Sequence, residues 1–263
     1  MQAFSSPPFY TRYGFSRTGD ADAPLEIEPY MEICVGGALR SAVVASAVDL
    51  VGGLVTRAIA GTDATFTSDL SLRIVAPGIP RSILVHGAML RAGHRLVTTG
   101  VRLEADEMLY AYGETTFSRI PREGESAPDV ASLSTPETIG HNPLERPLAD
   151  EVGIEIVDAA AGAVRLPLRP ALRNPEGVMQ GALVALLAET SALALAEHSL
   201  GAPQIVTELD LRYLAGASVG PIEGLAAWIG APEARVLRVE LRDAGRDDRL
   251  TTTCLARVDA AIV

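Results

Sequence analysis

Two carboxylates stand alone in apolar surroundings. Asp49 is the only ionisable residue between Ser41 and Thr56, and Glu189 is the only one between Gly181 and Ala196. An unpaired buried carboxylate is costly and holds its proton more tightly than in water, so an acid in such a stretch is paired, open to a cleft, or used in chemistry. The plain alternative is an acid that reaches solvent at the edge of a helix. A carboxylate near a helix N-terminus can deprotonate water for attack on a carbonyl carbon, or attack that carbon itself. The carbonyl oxygen would meet the unsatisfied N–H groups and positive dipole end of the helix. Gly181, placed to begin such a helix, lets a ligand come close to the backbone. This chemistry needs no metal, cofactor or nucleophilic serine.

The two acids occupy equivalent positions of an internal repeat, which argues against both being edge residues. LEIEP (25–29) resembles LPLRP (166–170), and SAVVASAVD (41–49) resembles GALVALLAE (181–189). Further on, DLSLR (69–73) matches ELDLR (208–212), and TTFSRI (115–120) matches TCLARV (253–258). The four pairings keep their order with offsets drifting from 141 to 138. Each copy reads as a short strand, a long apolar helix and a run of strands with alternating apolar positions. One helix against an antiparallel sheet is an α+β layer design in which the sheet wraps the helix. The repeats are expected at 1–120 and 152–263. The intervening 121–151, rich in Pro, Ser and acids, is expected to be a linker.

Composition agrees with a globular, soluble chain: 48% hydrophobic and 21% charged residues, with only 5% aromatic. The apolar stretches 42–56 and 182–196 fall short of the roughly 20 residues that span a bilayer, so no membrane partner is expected. No secretory signal is recognisable at the N-terminus, and a cytoplasmic location is the default expectation. Cys34 and Cys254 form no metal-binding or redox pair. A net charge of -11 makes nucleic acid a poor partner. The histidines His86, His94, His141 and His198 have no metal-ligand spacing and are read as structural or surface residues. Gly52 and Gly53 weaken the first helix pattern by about 1 kcal/mol each, unless the sheet or an acyl chain must come close there.

The segment NPEGVMQGALVALLAET (174–190) carries a resemblance. From about 152 to about 259 the chain resembles the hotdog thioesterases of the phenylacetate-pathway and 4-hydroxybenzoyl-CoA type. That family shows Asn-x-x-Gly-x-x-His-Gly-Gly and an acid nine residues after the His. Asn174, Gly177, Gly181 and Glu189 fall on the pattern, whereas Gln180 replaces the His and Ala182 the last Gly. The resemblance implies a tandem, double hotdog fold and hydrolysis of an acyl thioester such as acyl-CoA. It also implies further association of the sheets, giving a homo-oligomer, a dimer of fused pairs.

In hotdog dimers of this type each site joins the acid of one protomer to the helix start and Asn of the other, so a fused pair should cross its halves. The first copy offers Cys34, Gly37, Arg40 and Ser41 where the second has Asn174, Gly177, Gln180 and Gly181. A Ser or Thr expected on the strand after the helix is Thr67 in the first copy but Val206 in the second. One composite site is therefore expected. In it Asp49 is base or nucleophile, Thr67 orients water, and Gly181 N–H and Asn174 polarise the carbonyl. Gln180 and Gly177 support substrate or loop. The opposite combination, Glu189 with Arg40 and Ser41, is a second site or a vestige. The bland alternatives are a cap or turn role for Asn174, an ordinary strand role for Thr67 and a surface place for Gln180. A hotdog hydratase is disfavoured because no His lies at either helix start. A non-catalytic acyl-CoA binder stays open.

Overall fold

The computed structural model describes residues 9–16, 24–61, 63–121, 143–174 and 176–262. Most of the expected linker, 122–142, and His141 with it, lies outside these residues.

Each half contributes one long helix and the same sequence of strands. In the first half come β1 (Phe15–Ser16) and β2 (Leu25–Ile27), then the small hairpin of β3 (Cys34–Val35) and β4 (Ala38–Leu39). These are followed by α1 (Ser41–Ala60), β5 (Ala64–Ile74), β6 (Ile83–Ala92), β7 (Leu96–Ala105) and β8 (Met108–Ile120). After a short helix α2 (Leu148–Val152), the second half runs through β9 (Glu155–Asp158), β10 (Ala163–Leu166) and α3 (Gly181–Leu200). It ends with β11 (Gln204–Tyr213), β12 (Ile222–Trp228), β13 (Val236–Asp243) and β14 (Arg249–Ala260).

Twelve strands make one antiparallel sheet in the order β1-β2-β6-β7-β8-β5-β11-β14-β13-β12-β10-β9, which reads as the same six-strand order from the centre toward either edge. The halves join at β5 and β11, where Leu70 faces Leu211 and Leu72 faces Leu209, all four buried. Arg73 reaches across this seam with two parallel bonds of 2.9 Å to the Asp210 carboxylate. This is the α+β tandem architecture expected from the repeat.

Both helices lie on the inner face of the sheet. Every residue of α3 from Ala182 to Ala196 is buried, as an apolar-all-round helix must be. Each helix runs 20 residues, longer than the apolar stretches suggested, and is long and apolar enough to cross a membrane. In this fold that length is spent against the sheet and the sister helix. Gly52 shows how closely: a Cβ there would stand 2.6 Å from Thr99 Oγ1 and collide with Thr115 as well. These two hydroxyls bond each other at 2.7 Å beneath the helix. The sheet, not an acyl chain, fills that gap.

Two of the three strand pairings slip against the registers: followed across the sheet from Ile74 and Tyr213, Leu25 corresponds to Val164, two residues before Leu166, and the match of β8 to β14 shifts as well. With Asp69–Arg73 matched to residues 208–212, the register of β8 against β5 and of β14 against β11 places Thr115 opposite Leu70 and Ala256 opposite Leu209. Thr115 therefore corresponds to Ala256, not Thr253. Both are buried, whereas Thr253 faces the other side of the sheet. A slip of three residues flips a strand's faces, and only packing reveals it. The end of the expected linker also departs from expectation, since α2 buries Leu148 and Val152 completely.

Candidate functional site

The antiparallel crossing of α1 and α3 sets the site. Asp49 stands eight residues, about 12 Å, along α1 from Ser41, and Glu189 stands the same distance along α3 from Gly181. The crossing brings each acid to the other helix's first residue. The two contacts look alike in sequence but differ in chemistry.

At the first, Asp49 Oδ1 accepts a 2.7 Å hydrogen bond from Thr67 Oγ1 on β5. Its Oδ2 lies where a side chain on Gly181 would crowd it, 3.1 Å from the place a Cβ would take. The Gly181 N–H, at the first position of α3, has no acceptor in its own helix. Burial raises the Asp49 carboxyl above the ordinary range, and the Thr67 bond lowers it in part. A cavity of about 480 Å³ opens on this pair, lined also by Asn174, Met179, Val184 and Tyr213.

At the second, Glu189 is fully buried and wholly engaged. Its Oε1 accepts from Ser41 N at 2.7 Å and from Ser41 Oγ at 2.8 Å, while Oε2 takes Arg40 Nη1 at 3.1 Å. Glutamate's extra methylene carries the carboxylate onto the N-terminal amide of α1. There it fills the place a ligand oxygen would take. Arg40 and Ser41, expected as substrate-binding residues, are thus consumed by Glu189, and none of the three lines the cavity.

The loop before α3 explains the remaining expected residues. Asn174 Oδ1 accepts from the N–H groups of Glu176 and Val178, both at 3.1 Å, so its carbonyl end closes the turn and only its amide nitrogen is left to serve a ligand. Gly177 sits in that turn at φ 79°, away from the cavity lining. Gln180 is buried rather than on the surface, and its Nε2 donates to the carbonyls of Ala171 and Arg173 at 3.2 and 3.4 Å. Of its two expected roles, support of the loop is the one the geometry carries.

Residues that motif reading missed hold the other rim. Arg173 donates to Gly177 O at 3.2 Å and also to Ser218 O, tying the 174–178 turn to the loop after β11. Buried Asp243 accepts the N–H groups of Ser218, Val219 and Gly220 at 2.7, 3.0 and 2.7 Å. Burial alone would raise its carboxyl, but these bonds outweigh it and hold the carboxyl below the usual range. No repeat or motif marks these residues, because their partners are backbone groups of a distant loop. His86, His94 and His198 are exposed, as expected. Among the described residues no cluster of three or more His, Cys, Asp or Glu could hold a metal.

No family model and no curated protein matches the sequence. Solved structures do match over nearly the whole chain. The tesB protein of Mycobacterium avium subsp. paratuberculosis is 13% identical, with 95% of this chain and 96% of that one covered at a TM-score of 0.61. A conserved protein with hot dog fold from Alicyclobacillus acidocaldarius is 13% identical, covering 97% and 98% at 0.55. This chain has the double hotdog fold. The acyl-CoA thioesterase II TesB2 of Mycobacterium marinum shares that double hotdog architecture at 10% identity, covering 95% and 97% at 0.60. At such identities the likeness concerns the fold, and chemistry has to be argued from the Asp49 cavity.

Proposed function

We propose that this double hotdog protein hydrolyses an acyl thioester at the single composite site of Asp49, Thr67, Asn174 and Gly181. The observation that carries the reading is the asymmetry between the two acids: Glu189 has occupied its helix terminus, whereas Asp49 faces a free one across an open cavity. A structure that matches over nearly the whole chain, that of Mycobacterium marinum TesB2, is described as an acyl-CoA thioesterase II, which supports the reaction class.

In this reading the thioester carbonyl oxygen takes the Gly181 N–H at the positive end of α3, with the Asn174 amide nitrogen beside it. Thr67 Oγ1 donates a hydrogen bond to Asp49 Oδ1, fixing the carboxylate and leaving Oδ2 toward the cavity. A water held by Oδ2 loses a proton to it as its oxygen bonds to the carbonyl carbon. The raised affinity of Asp49 for protons makes it a stronger base than an ordinary aspartate. Collapse of the tetrahedral intermediate breaks the C–S bond, and the proton held by Asp49 goes to the leaving thiolate. The products are a carboxylic acid and a thiol.

The test is thiol release from a panel of acyl-CoAs by the native chain, Asp49→Asn and Glu189→Gln. Native hydrolysis with at least a roughly 100-fold loss in Asp49→Asn is expected. Glu189→Gln should keep its rate per folded molecule while melting earlier, because it leaves the buried Arg40 charge unpaired. Binding of acyl-CoA with no thiol release would instead favour a non-catalytic binder, and full activity in both variants would remove the composite site.

A further inference from the structure

Tyr213 is the last residue of β11. Past the irregularity between Val206 and Glu208 the strand alternates cleanly, placing Tyr213 on the same helix-facing side as the buried Leu209 and Leu211. Its position at the strand's end puts it in the lining of the Asp49 cavity, on the wall contributed by the second half. Among the described residues its hydroxyl has no hydrogen-bond partner. Tyr213 is half-buried on the cavity wall, so its hydroxyl is open to a partner that enters the cavity. Burial, and after it the nearby Asp49 charge, holds the phenol far above its ordinary range, so it stays a neutral donor at all working pH values.

The repeat makes the residue conspicuous. Ile74 follows Arg73 at the end of β5 just as Tyr213 follows Arg212, and Ile74 is buried in the repeat whose Arg40 and Ser41 hold Glu189. In that repeat the position is aliphatic. At the Asp49 cavity it carries a hydroxyl.

We propose that Tyr213 is a further substrate-contacting residue, its hydroxyl donating to the carbonyl oxygen of the bound thioester beside the Gly181 N–H. The proposal rests on the hydrolytic reading above. A donor aimed at the attacking water would make that water a poorer nucleophile, whereas negative charge grows on the carbonyl oxygen as the water adds. The carbonyl is therefore the useful acceptor. The phenol keeps its proton throughout, so the balance of the reaction is unchanged.

The experiment compares the native chain with Tyr213→Phe in three measurements. These are thiol release from the acyl-CoA panel, thermal melting, and the infrared carbonyl band of a bound 13C-labelled ketone analogue whose sulfur is replaced by CH2. We expect kcat/KM to fall roughly 30- to 100-fold with the melting temperature nearly kept, and the carbonyl band to move to higher wavenumber as a donor is lost. A native enzyme that hydrolyses while Tyr213→Phe matches it in rate and band overturns the role of Tyr213 and leaves the hydrolytic reading standing. A native chain that neither hydrolyses nor binds the ketone overturns both. If the native chain binds without hydrolysis, a band shift lost in Tyr213→Phe upholds the contact and removes only the hydrolysis.

Discussion

One methylene separates the two acids, and their contacts differ with it. Glu189 reaches the Ser41 N–H, whereas Asp49 stops short of Gly181. It follows that Asp49→Glu, though conservative in charge, should abolish thiol release by capping α3 itself. That new bond should raise the melting temperature above that of the native protein, and an active Asp49→Glu would show that reach is not what separates the two sites. Gly181→Ala should cost activity from the other direction, by pressing a methyl group on the Asp49 carboxylate. Asp49 also has a pH signature. Its carboxyl is raised in the fold, so the protonated form is favoured there, and the native state loses stability as pH rises from the ordinary aspartate pKa through the raised one. Asp49→Asn should therefore gain stability relative to native as pH rises across that window, a gain that vanishes in acid. The acidic limb of kcat/KM should lie above the ordinary aspartate range, because Asp49 must be ionised to accept a proton.

Element by element, the sequence is legible where a pattern is long or chemically odd. The helices and their lone acids stand out because Asp49 and Glu189 interrupt apolar stretches, and β5 against β11 is readable because DLSLR and ELDLR alternate in phase. The match of β8 to β14 fails by three residues because Ala, Val and Thr fit either face, and only the register shows which set is buried. Tyr213 is visible in the same alignment as a tyrosine opposite Ile74, yet it has no motif around it. The loops framing the cavity are least legible, since their bonds run to backbone. Asp243 is the clearest case: with three N–H groups held by one carboxylate, Asp243→Ala should destabilise the protein by about 3 kcal/mol and loosen the 214–220 loop. Because its carboxyl is lowered in the fold, this contribution is present above the ordinary aspartate pKa and fades as pH falls through the lowered one. Urea midpoints at neutral and strongly acid pH measure both statements, and an Asp243→Ala penalty independent of pH would contradict the second.

At the scale of the whole molecule, duplication has been used to make two halves unequal while leaving them inseparable. Asp49 and Thr67 belong to the first repeat and Gly181, Asn174 and Tyr213 to the second, so neither repeat contains the cavity alone. The Glu189 contact ties the same helices together at their other crossing, and β5 with β11 makes the two sheets one. A fold joined in this way should unfold as a unit. The sole tryptophan, Trp228, lies on β12 far along the sheet from α1 and reports on the second half alone. A cavity made in the first half, by Val43→Ala at a fully buried position of α1, should lower the stability by roughly 2 kcal/mol. In a cooperative molecule the urea midpoint read from Trp228 fluorescence falls by as much as the midpoint read from far-ultraviolet dichroism. If the halves were independent, Trp228 would keep its native midpoint while the dichroism split into two transitions. A site shared across the α1–α3 crossing would then exist only while both halves happened to be folded.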